Sequence, residues 1–180
     1  QPVSFDAPGH GNSDGKNTTI LEYQAIIGAL EKKYQKFDTI IAHSFGVLCA
    51  FYAVKEGIKP SKLVAISGVC EFSYLTEKFS STLKLTKNIR RDLKQRVEKL
   101  FFPMSNVWQR FSANHYAKSL SCELLIIHDR ADDIVDYQQA KRLHSTHQPE
   151  LPIITTEQLG HSALLNEKKV INSVINFIQY

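Results

Sequence analysis

Short apolar runs alternate with longer segments of helical periodicity along this chain. Four of these runs predict strands: Asp38–His43, Leu63–Gly68, Glu123–His128 and Pro152–Thr156. The first run lacks polar alternation, which is typical of a parallel strand that is buried on both faces. Strands that alternate with helices predict an α/β fold, in which a mostly parallel sheet carries helices on both faces.

Helical periodicity and capping signals predict the main helices. Thr19 and Glu22 form a capping box, and a helix is expected to run from there to about Lys36. A second helix should end near Glu56, with Gly57 as its C-cap. A closing helix is expected from Glu167 to about Gln179. The spacing of apolar residues predicts a stripe that faces the core in both the first and the closing helix. These residues are Ile20, Tyr23, Ile27, Leu30 and Tyr34 in the first, and Val170, Ile171, Val174, Ile175 and Ile178 in the last.

The segment Ala42–Gly46 carries the most informative chemistry. Its central residue, Ser44, lies between an apolar run and a helix-compatible run. A serine in such a strand–turn–helix context acts as a nucleophile in many enzymes, usually within the pattern G-x-S-x-G. Ala42 and Gly46 are the small residues expected to let strand and helix approach each other, and Ala42 is a mild departure from the pattern. An ordinary strand–helix turn is the alternative.

Two further segments supply partners for a serine nucleophile. A carboxylate cluster that includes Asp129, Asp132 and Asp133 follows the third apolar run, and His161 lies in a glycine-bearing loop before the last helix. A serine hydroxyl is a weak nucleophile that needs an adjacent base, and imidazole titrates near neutral pH. The residue types therefore indicate nucleophilic catalysis.

Four segments together resemble the α/β-hydrolase superfamily. They are Phe5–Ser13, similar to a D-x-P-G-H-G-x-S loop; Ala42–Gly46, similar to the nucleophile turn; Ile127–Val135, similar to H-[GD]-x-x-D-x-x-V; and Gly160-His161, similar to the loop of the catalytic histidine. The order Ser, Asp, His is also the chain order of the family's triad. The resemblance implies one hydrolase domain over residues 1–180 and no metal or organic cofactor.

The resemblance also implies a helical cap inserted at about residues 71–120. This stretch is helical in character and contains many apolar and aromatic residues. Its apolar side chains either fill the core of the cap or line a substrate pocket.

Roles follow for individual residues where they match the family's pattern. Ser44 is the expected nucleophile, His161 the base that moves protons, and Phe45 the donor of a backbone N–H to the oxyanion hole. Asp132 is the expected acid, because it stands three residues before Val135 in the family pattern. Its task is to orient the imidazole and stabilise imidazolium.

Alternatives remain open for the acid. Asp129, Asp133 and Asp136 follow the same strand as Asp132, and Asp129 is expected to order the loop instead of acting as the acid. Some relatives place the acid after the preceding strand, where Glu71 stands here.

Six other histidines compete with His161 for the role of base: His10, His43, His115, His128, His144 and His147. The position of His161 after the last strand favours it. His43 precedes the serine on the strand and is expected to point away from it, while Asp6 and His10 are expected to hold a loop near the serine.

The same comparison predicts that the chain is the C-terminal part of a longer protein. It begins at Gln1, where the family's fourth strand should start, and its only methionine is Met104. The family's third strand and an oxyanion loop would precede it. Val3-Ser4-Phe5 would then have no neighbouring strand on the side that faces the serine's strand. The second N–H donor of the oxyanion hole would also be missing, so the chain alone is expected to be poorly active.

Composition narrows the class of protein. A chain of 180 residues with a net charge of +4 fits one globular domain, and no apolar run approaches the length of a membrane span. Cys49, Cys70 and Cys122 show no metal-binding spacing and indicate reduced thiols of a cytoplasmic protein. The basic run Lys84–Lys99 is typical of a solvated helix face, so neither a nucleic-acid nor a membrane partner is expected, and the oligomeric state is not indicated.

The sequence therefore predicts a serine hydrolase that cleaves a small-molecule carboxylic ester or thioester through an acyl-enzyme. Two other classes stay open. One is a lyase or a C–C bond hydrolase on the same scaffold, since fold does not fix chemistry. The other is a non-catalytic ligand-binding relative.

Overall fold

The computed structural model describes residues 2–147 and 152–179, and its centre is a four-stranded parallel sheet in the order β1-β2-β3-β4. The strands are β1 (Thr39–His43), β2 (Lys62–Ile66), β3 (Glu123–Asp129) and β4 (Ile154–Thr156). The helices are α1 (Ile20–Tyr34), α2 (Phe45–Lys55), α3 (Phe72–Thr82), α4 (Lys87–Leu100), α5 (Val107–Arg110), α6 (Tyr137–His147), α7 (Gly160–Ala163) and α8 (Lys168–Gln179). The predicted α/β fold is confirmed.

Side-chain alternation along the central strands determines which helices cover each face of the sheet. Leu63 and Ala65 of β2 pack in one cluster with residues of α2 and α6. Val64 and Ile66, on the opposite face of the same strand, pack against Val170 of α8. All five residues of β2 are buried because the sheet has helices on both faces.

The predicted capping box at the start of α1 is confirmed. The Thr19 hydroxyl accepts from the Glu22 amide at 3.3 Å, and the Glu22 carboxylate accepts from the Thr19 amide at 2.6 Å. Ile20 and Ile27 of the predicted stripe are buried, but Tyr34 is 49% exposed in the last turn, so its predicted core role is wrong. The helix ends at Tyr34, two residues before the predicted limit.

The closing helix α8 also packs on a narrower stripe than predicted. Val170 is buried, and Val174 and Phe177 pack beside it on the sheet. Ile171 and Ile175 were expected to face inward but are 42% and 43% exposed. At 100° per residue these two positions lie outside the stripe formed by residues 170, 174 and 177.

Burial of β1 on both faces was predicted, and Ile41 contradicts it with 54% exposure. Among the strands of the described residues, β1 lies at an edge of the sheet and pairs with β2 alone. A groove of about 290 Å³ lies beside this edge, lined among others by Val3, Phe5, Ile41 and Gly46. Residues 2–6 were expected to form a strand end, but they form no strand because no described strand pairs with them.

The stretch between β2 and β3 is helical, as the sequence predicted. Phe72, Phe101 and Phe111 are buried and stack edge to face with ring centroids 4.8 to 5.8 Å apart. These aromatic residues fill a core cluster that also contains Ile20 of α1 and Leu48 of α2, so they pack against the rest of the domain and not only within the predicted cap. The basic helix α4 buries none of its residues.

Within the described part of the chain, no helix has the length and apolarity that crossing a bilayer requires. The three cysteines, Cys49, Cys70 and Cys122, are free and buried.

Candidate active site

Ser44 occupies a strained turn between β1 and α2. Its backbone has φ 57° and ψ −127°, a combination that costs a non-glycine residue about 1–3 kcal/mol. Neighbouring backbone holds the turn in place, since the Ser44 amide donates to the Ile66 carbonyl at 3.0 Å and the Ser44 carbonyl accepts from Val47 at 3.1 Å. The turn presents the hydroxyl at the carboxyl end of the sheet.

The sequence suggested that Gly46 lets strand and helix approach each other at this turn. In the structure the close approach to α2 occurs at Gly68 instead. A Cβ atom at Gly46 would meet nothing within 4 Å, because this residue faces the groove beside β1. A Cβ atom at Gly68, after β2, would lie only 2.6 Å from Val47 of α2. The tight packing that positions α2 therefore requires glycine at position 68.

We expect Gly68→Ala to lower the free energy of unfolding by about 1–3 kcal/mol, because the added methyl group overpacks the contact with Val47. Gly46→Ala is the matched control and should leave stability unchanged or raise it by up to about 1 kcal/mol, since it lies within helix α2. Urea unfolding of both variants measures the difference. Equal stabilities for the two variants would contradict this account of the turn.

His161 lies within hydrogen-bonding distance of both other predicted site residues. Its Nε2 is 2.9 Å from Ser44 Oγ, and its Nδ1 is 2.8 Å from Asp132 Oδ2. A carboxylate only accepts, so Nδ1 carries the proton and the Nε2 lone pair faces the serine hydroxyl. Short α7 and its preceding turn, with positive φ at Gln158 and Gly160, bring the imidazole to this point from the end of β4.

Asp132 lies in the loop between β3 and α6 with its carboxylate buried. Oδ1 accepts from the backbone amides of Ile134 and Val135 at 3.0 and 2.9 Å, which leaves Oδ2 for His161. Burial alone raises the pKa of Asp132, but the hydrogen bonds from His161 and these two amides outweigh burial and hold the pKa below its ordinary value. The carboxylate is therefore ionised at neutral pH.

Asp129 orders the loops around the site, as the sequence suggested. Its fully buried carboxylate accepts from the Thr156 hydroxyl at 2.6 Å and from the amides of Ala131 and Leu159 at 2.9 and 3.1 Å. The contact with Leu159 connects the end of β3 to the loop that carries His161. Burial raises the pKa of Asp129, but these hydrogen bonds prevail and lower it.

The depressed pKa of Asp129 makes stability depend on pH. Above its unfolded pKa of about 4, the folded carboxylate contributes its full stabilisation, which is lost as pH falls through the lower folded pKa. We expect the wild type to lose more stability between pH 5 and pH 3 than Asp129→Asn, which has no proton to take up there. Urea midpoints at both pH values test this, and equal losses would contradict it.

The other candidates for the triad acid, Glu71, Asp133 and Asp136, make contacts with residues other than His161. The Glu71 carboxylate pairs with Arg142 and accepts from Asn114 Nδ2 at 3.1 Å. Asp133 is exposed, and its carbonyl accepts from Lys78. Asp136 caps α6, and its Oδ1 accepts from the Gln138 amide at 2.8 Å.

The loop that resembles D-x-P-G-H-G-x-S is held by its own contacts. The Asp6 carboxylate accepts from the Asn12 amide at 2.9 Å, and the Asp6 carbonyl accepts from the Ser13 hydroxyl at 2.6 Å. His10 is exposed. Both residues were expected to have a structural role, and these contacts agree with it for Asp6.

Sequence reasoning missed His43. It was expected only to point away from the serine, and no contact with His161 was predicted. In the structure its Nε2 lies 2.9 Å from the backbone carbonyl of His161, and the two imidazole centroids are 4.6 Å apart. The side chain leans along the carboxyl edge of the sheet toward the α7 loop. Its place directly before Ser44 was the only signal in the sequence.

Helix α2 begins at Phe45, directly after the serine. The first N–H groups of a helix have no acceptor within the helix, and the helix dipole adds partial positive charge at this end. An oxyanion that forms at Ser44 would therefore be stabilised from this side, which is the role predicted for the Phe45 amide.

Solved structures resemble the whole described chain. The mouse α/β hydrolase domain-containing protein 10 matches with a TM-score of 0.69 and 17% identity, over 97% of this chain and 74% of the mouse chain. A monoacylglycerol lipase from Paleococcus ferrophilus matches with a TM-score of 0.68 and 18% identity, over 98% and 80% of the two chains. A meta-cleavage product hydrolase from Pseudomonas fluorescens matches with a TM-score of 0.62 and 16% identity, over 96% and 77%.

No family model and no curated protein sequence matches the chain. The likeness to solved structures is therefore one of backbone architecture at low identity. It agrees with the resemblance in sequence, and it shows that this chain has the α/β-hydrolase fold.

Proposed function

We propose that this protein is a serine hydrolase that cleaves a carboxylic ester or thioester through an acyl-enzyme. The observation that carries the proposal is the unbroken hydrogen-bond chain from the Ser44 hydroxyl through His161 to Asp132, with links of 2.9 and 2.8 Å. Each link has the polarity that proton transfer from serine requires.

In the first half-reaction, Ser44 Oγ attacks the substrate carbonyl while His161 Nε2 takes the hydroxyl proton. Ionised Asp132 stabilises the imidazolium that forms. The negative charge on the carbonyl oxygen develops next to the Phe45 amide at the start of α2. When the tetrahedral intermediate collapses, the bond to the alcohol or thiol breaks, and that leaving group takes the proton from His161.

In the second half-reaction, His161 accepts a proton from water, and the hydroxide oxygen attacks the acyl carbonyl. Collapse of this intermediate breaks the bond to Ser44 Oγ, which regains its proton from His161. The products are a carboxylic acid and free enzyme. These steps use proton transfers and covalent intermediates on Ser44, so the proposal includes a small ester-like substrate and no cofactor.

A fluorophosphonate probe tests the proposal. We expect stoichiometric labelling of the 180-residue chain at Ser44, located by peptide mass spectrometry, because the probe requires an activated serine. Heat-denatured chain should not react. Failure of the folded chain to react, or reaction at another residue, would contradict acyl chemistry at this site.

We further propose that this chain alone turns over slowly. The resemblance assigns a second oxyanion donor to a loop that no segment of the 180 residues matches. The groove beside β1, lined by Gly46 next to the Phe45 amide, leaves this side of the site open. Loss of one oxyanion donor lowers kcat by about 10²–10³.

Against a typical enzyme kcat of about 10 s⁻¹, we therefore expect roughly 0.01–0.1 s⁻¹ on an activated ester. Steady-state assay of the purified chain gives the value. A kcat of about 10 s⁻¹ or more would contradict this part of the proposal and leave the identity of the nucleophile intact.

Hydrolysis of a C–C bond is the second candidate, because one of the solved structures with this fold is a meta-cleavage product hydrolase. Product analysis on a panel of esters and 1,3-diketones separates the two reactions. The leading proposal predicts release of alcohol or thiol from the esters and no cleavage of the diketones.

A further inference from the structure

The loop that carries His161 is held from two sides. On one side, the buried Asp129 carboxylate accepts from the Leu159 amide. On the other side, His43 Nε2 lies 2.9 Å from the carbonyl of His161. Around these contacts the chain makes a turn with positive φ at Gln158 and Gly160, and the described residues there form the four-residue helix α7, so the loop has little regular structure of its own.

The contact from His43 has a defined polarity. A backbone carbonyl only accepts, so the proton lies on His43 Nε2. The imidazole rings of His43 and His161 are tilted by 41° with centroids 4.6 Å apart. The hydrogen bond from His43 to the His161 carbonyl holds the two residues in this relative position. Because His43 directly precedes Ser44 at the end of β1, the same strand end carries both the proposed nucleophile and the group that holds the base.

Burial lowers the pKa of His43 below its ordinary value, and the hydrogen bond to the His161 carbonyl offsets part of this effect. Three charged or titratable groups influence it: His161, Asp132 and His128. A neutral ring at position 43 avoids a second positive charge beside the imidazolium that forms on His161 during turnover.

We propose that His43 is a positioning residue, whose Nε2–H bond to the His161 carbonyl keeps the His161 imidazole within reach of Ser44. The inference rests on the proposed function and deepens it. His43 touches neither substrate nor reacting atoms in this role. It sets the distance across which the Ser44 proton moves, and small errors in such a distance lower the rate without weakening substrate binding.

Two variants separate the hydrogen bond from ring packing. His43→Gln keeps an amide N–H at about the reach of Nε2, while His43→Phe keeps the ring and loses the donor. We expect His43→Phe to lower the rate of fluorophosphonate labelling and the kcat for an activated ester by about tenfold, with KM unchanged. His43→Gln should stay within about twofold of the wild type.

His115→Phe is the matched control, because His115 is exposed in a short turn at residues 113–115 and should leave both rates unchanged. A rate within twofold of the wild type for His43→Phe would overturn the proposal. So would an equal loss in His43→Gln, because a variant that keeps the N–H donor would then fail to keep the rate.

Hydrogen exchange gives a readout that is independent of catalysis. We expect the amides at residues 158–164 to exchange about tenfold faster in His43→Phe than in the wild type, and at the wild-type rate in His43→Gln. Unchanged exchange in His43→Phe would overturn the positioning role even if the wild type labels normally. Absence of wild-type labelling would refute the proposed function, and the exchange result would still decide whether His43 holds the loop.

Discussion

Ser44→Ala is expected to lower the rate of ester turnover by about 10⁴-fold or more. Alanine keeps the turn between β1 and α2 and removes only the oxygen that lies 2.9 Å from His161 Nε2. Without a nucleophile, no acyl-enzyme forms, and fluorophosphonate labelling should disappear as well. Progress curves at high enzyme concentration, together with intact-mass spectra after labelling, measure both effects.

Ser67→Ala is the matched control for this experiment. Ser67 follows the neighbouring strand β2, has a positive φ as Ser44 does, and is fully buried, and its hydroxyl has no hydrogen-bond partner among the described residues. We expect its labelling rate to stay within about twofold of the wild type. Turnover that survives in Ser44→Ala at the wild-type rate would show that the chemistry takes place elsewhere.

Asp132→Asn is expected to lower kcat by about 10⁴. The asparagine carbonyl would replace Oδ1 as acceptor for Ile134 and Val135, and its NH₂ group would then face His161 Nδ1. Since NH₂ only donates, it favours the tautomer with the proton on Nε2, and that nitrogen can no longer accept the proton of Ser44. The rate of fluorophosphonate labelling and single-turnover ester kinetics measure the loss.

Asp133→Asn and Glu71→Gln are the control variants for Asp132→Asn, because each removes the charge of another candidate acid. Asp133 is exposed, and Glu71 pairs with Arg142, so neither substitution reaches the imidazole. Both variants should keep turnover within about twofold. If Asp132→Asn kept near-normal turnover, or if either control lost as much, the assignment of the acid would be wrong.

The sequence predicted the parts of this fold that depend on local signals. The capping box at Thr19 and the strand β2 each rest on residues that are close in sequence, and each occurs as expected. The hydrogen-bonded proximity of Ser44, Asp132 and His161 followed from their places after β1, β3 and β4, because parallel strands end at the same edge of a sheet. Their catalytic roles stay predictions.

The sequence could not predict features that depend on contacts between distant segments. Ile41 is exposed because β1 is an edge strand, and apolar pattern alone does not reveal strand order. The close approach at Gly68 depends on Val47, which lies on another element. The sequence pattern did not reveal this contact and indicated Gly46 of the serine motif instead. His43 reaches a carbonyl 118 positions away, and no spacing rule indicates such a contact.

Mass spectrometry of the chain quenched during turnover of an activated ester tests the central proposal most directly. Attachment of the acyl group to the Ser44 oxygen, with the mass increase of that acyl group and no adduct in Ser44→Ala, is the predicted result. Steady release of carboxylic acid from a chain that never carries the acyl group at position 44 would contradict it.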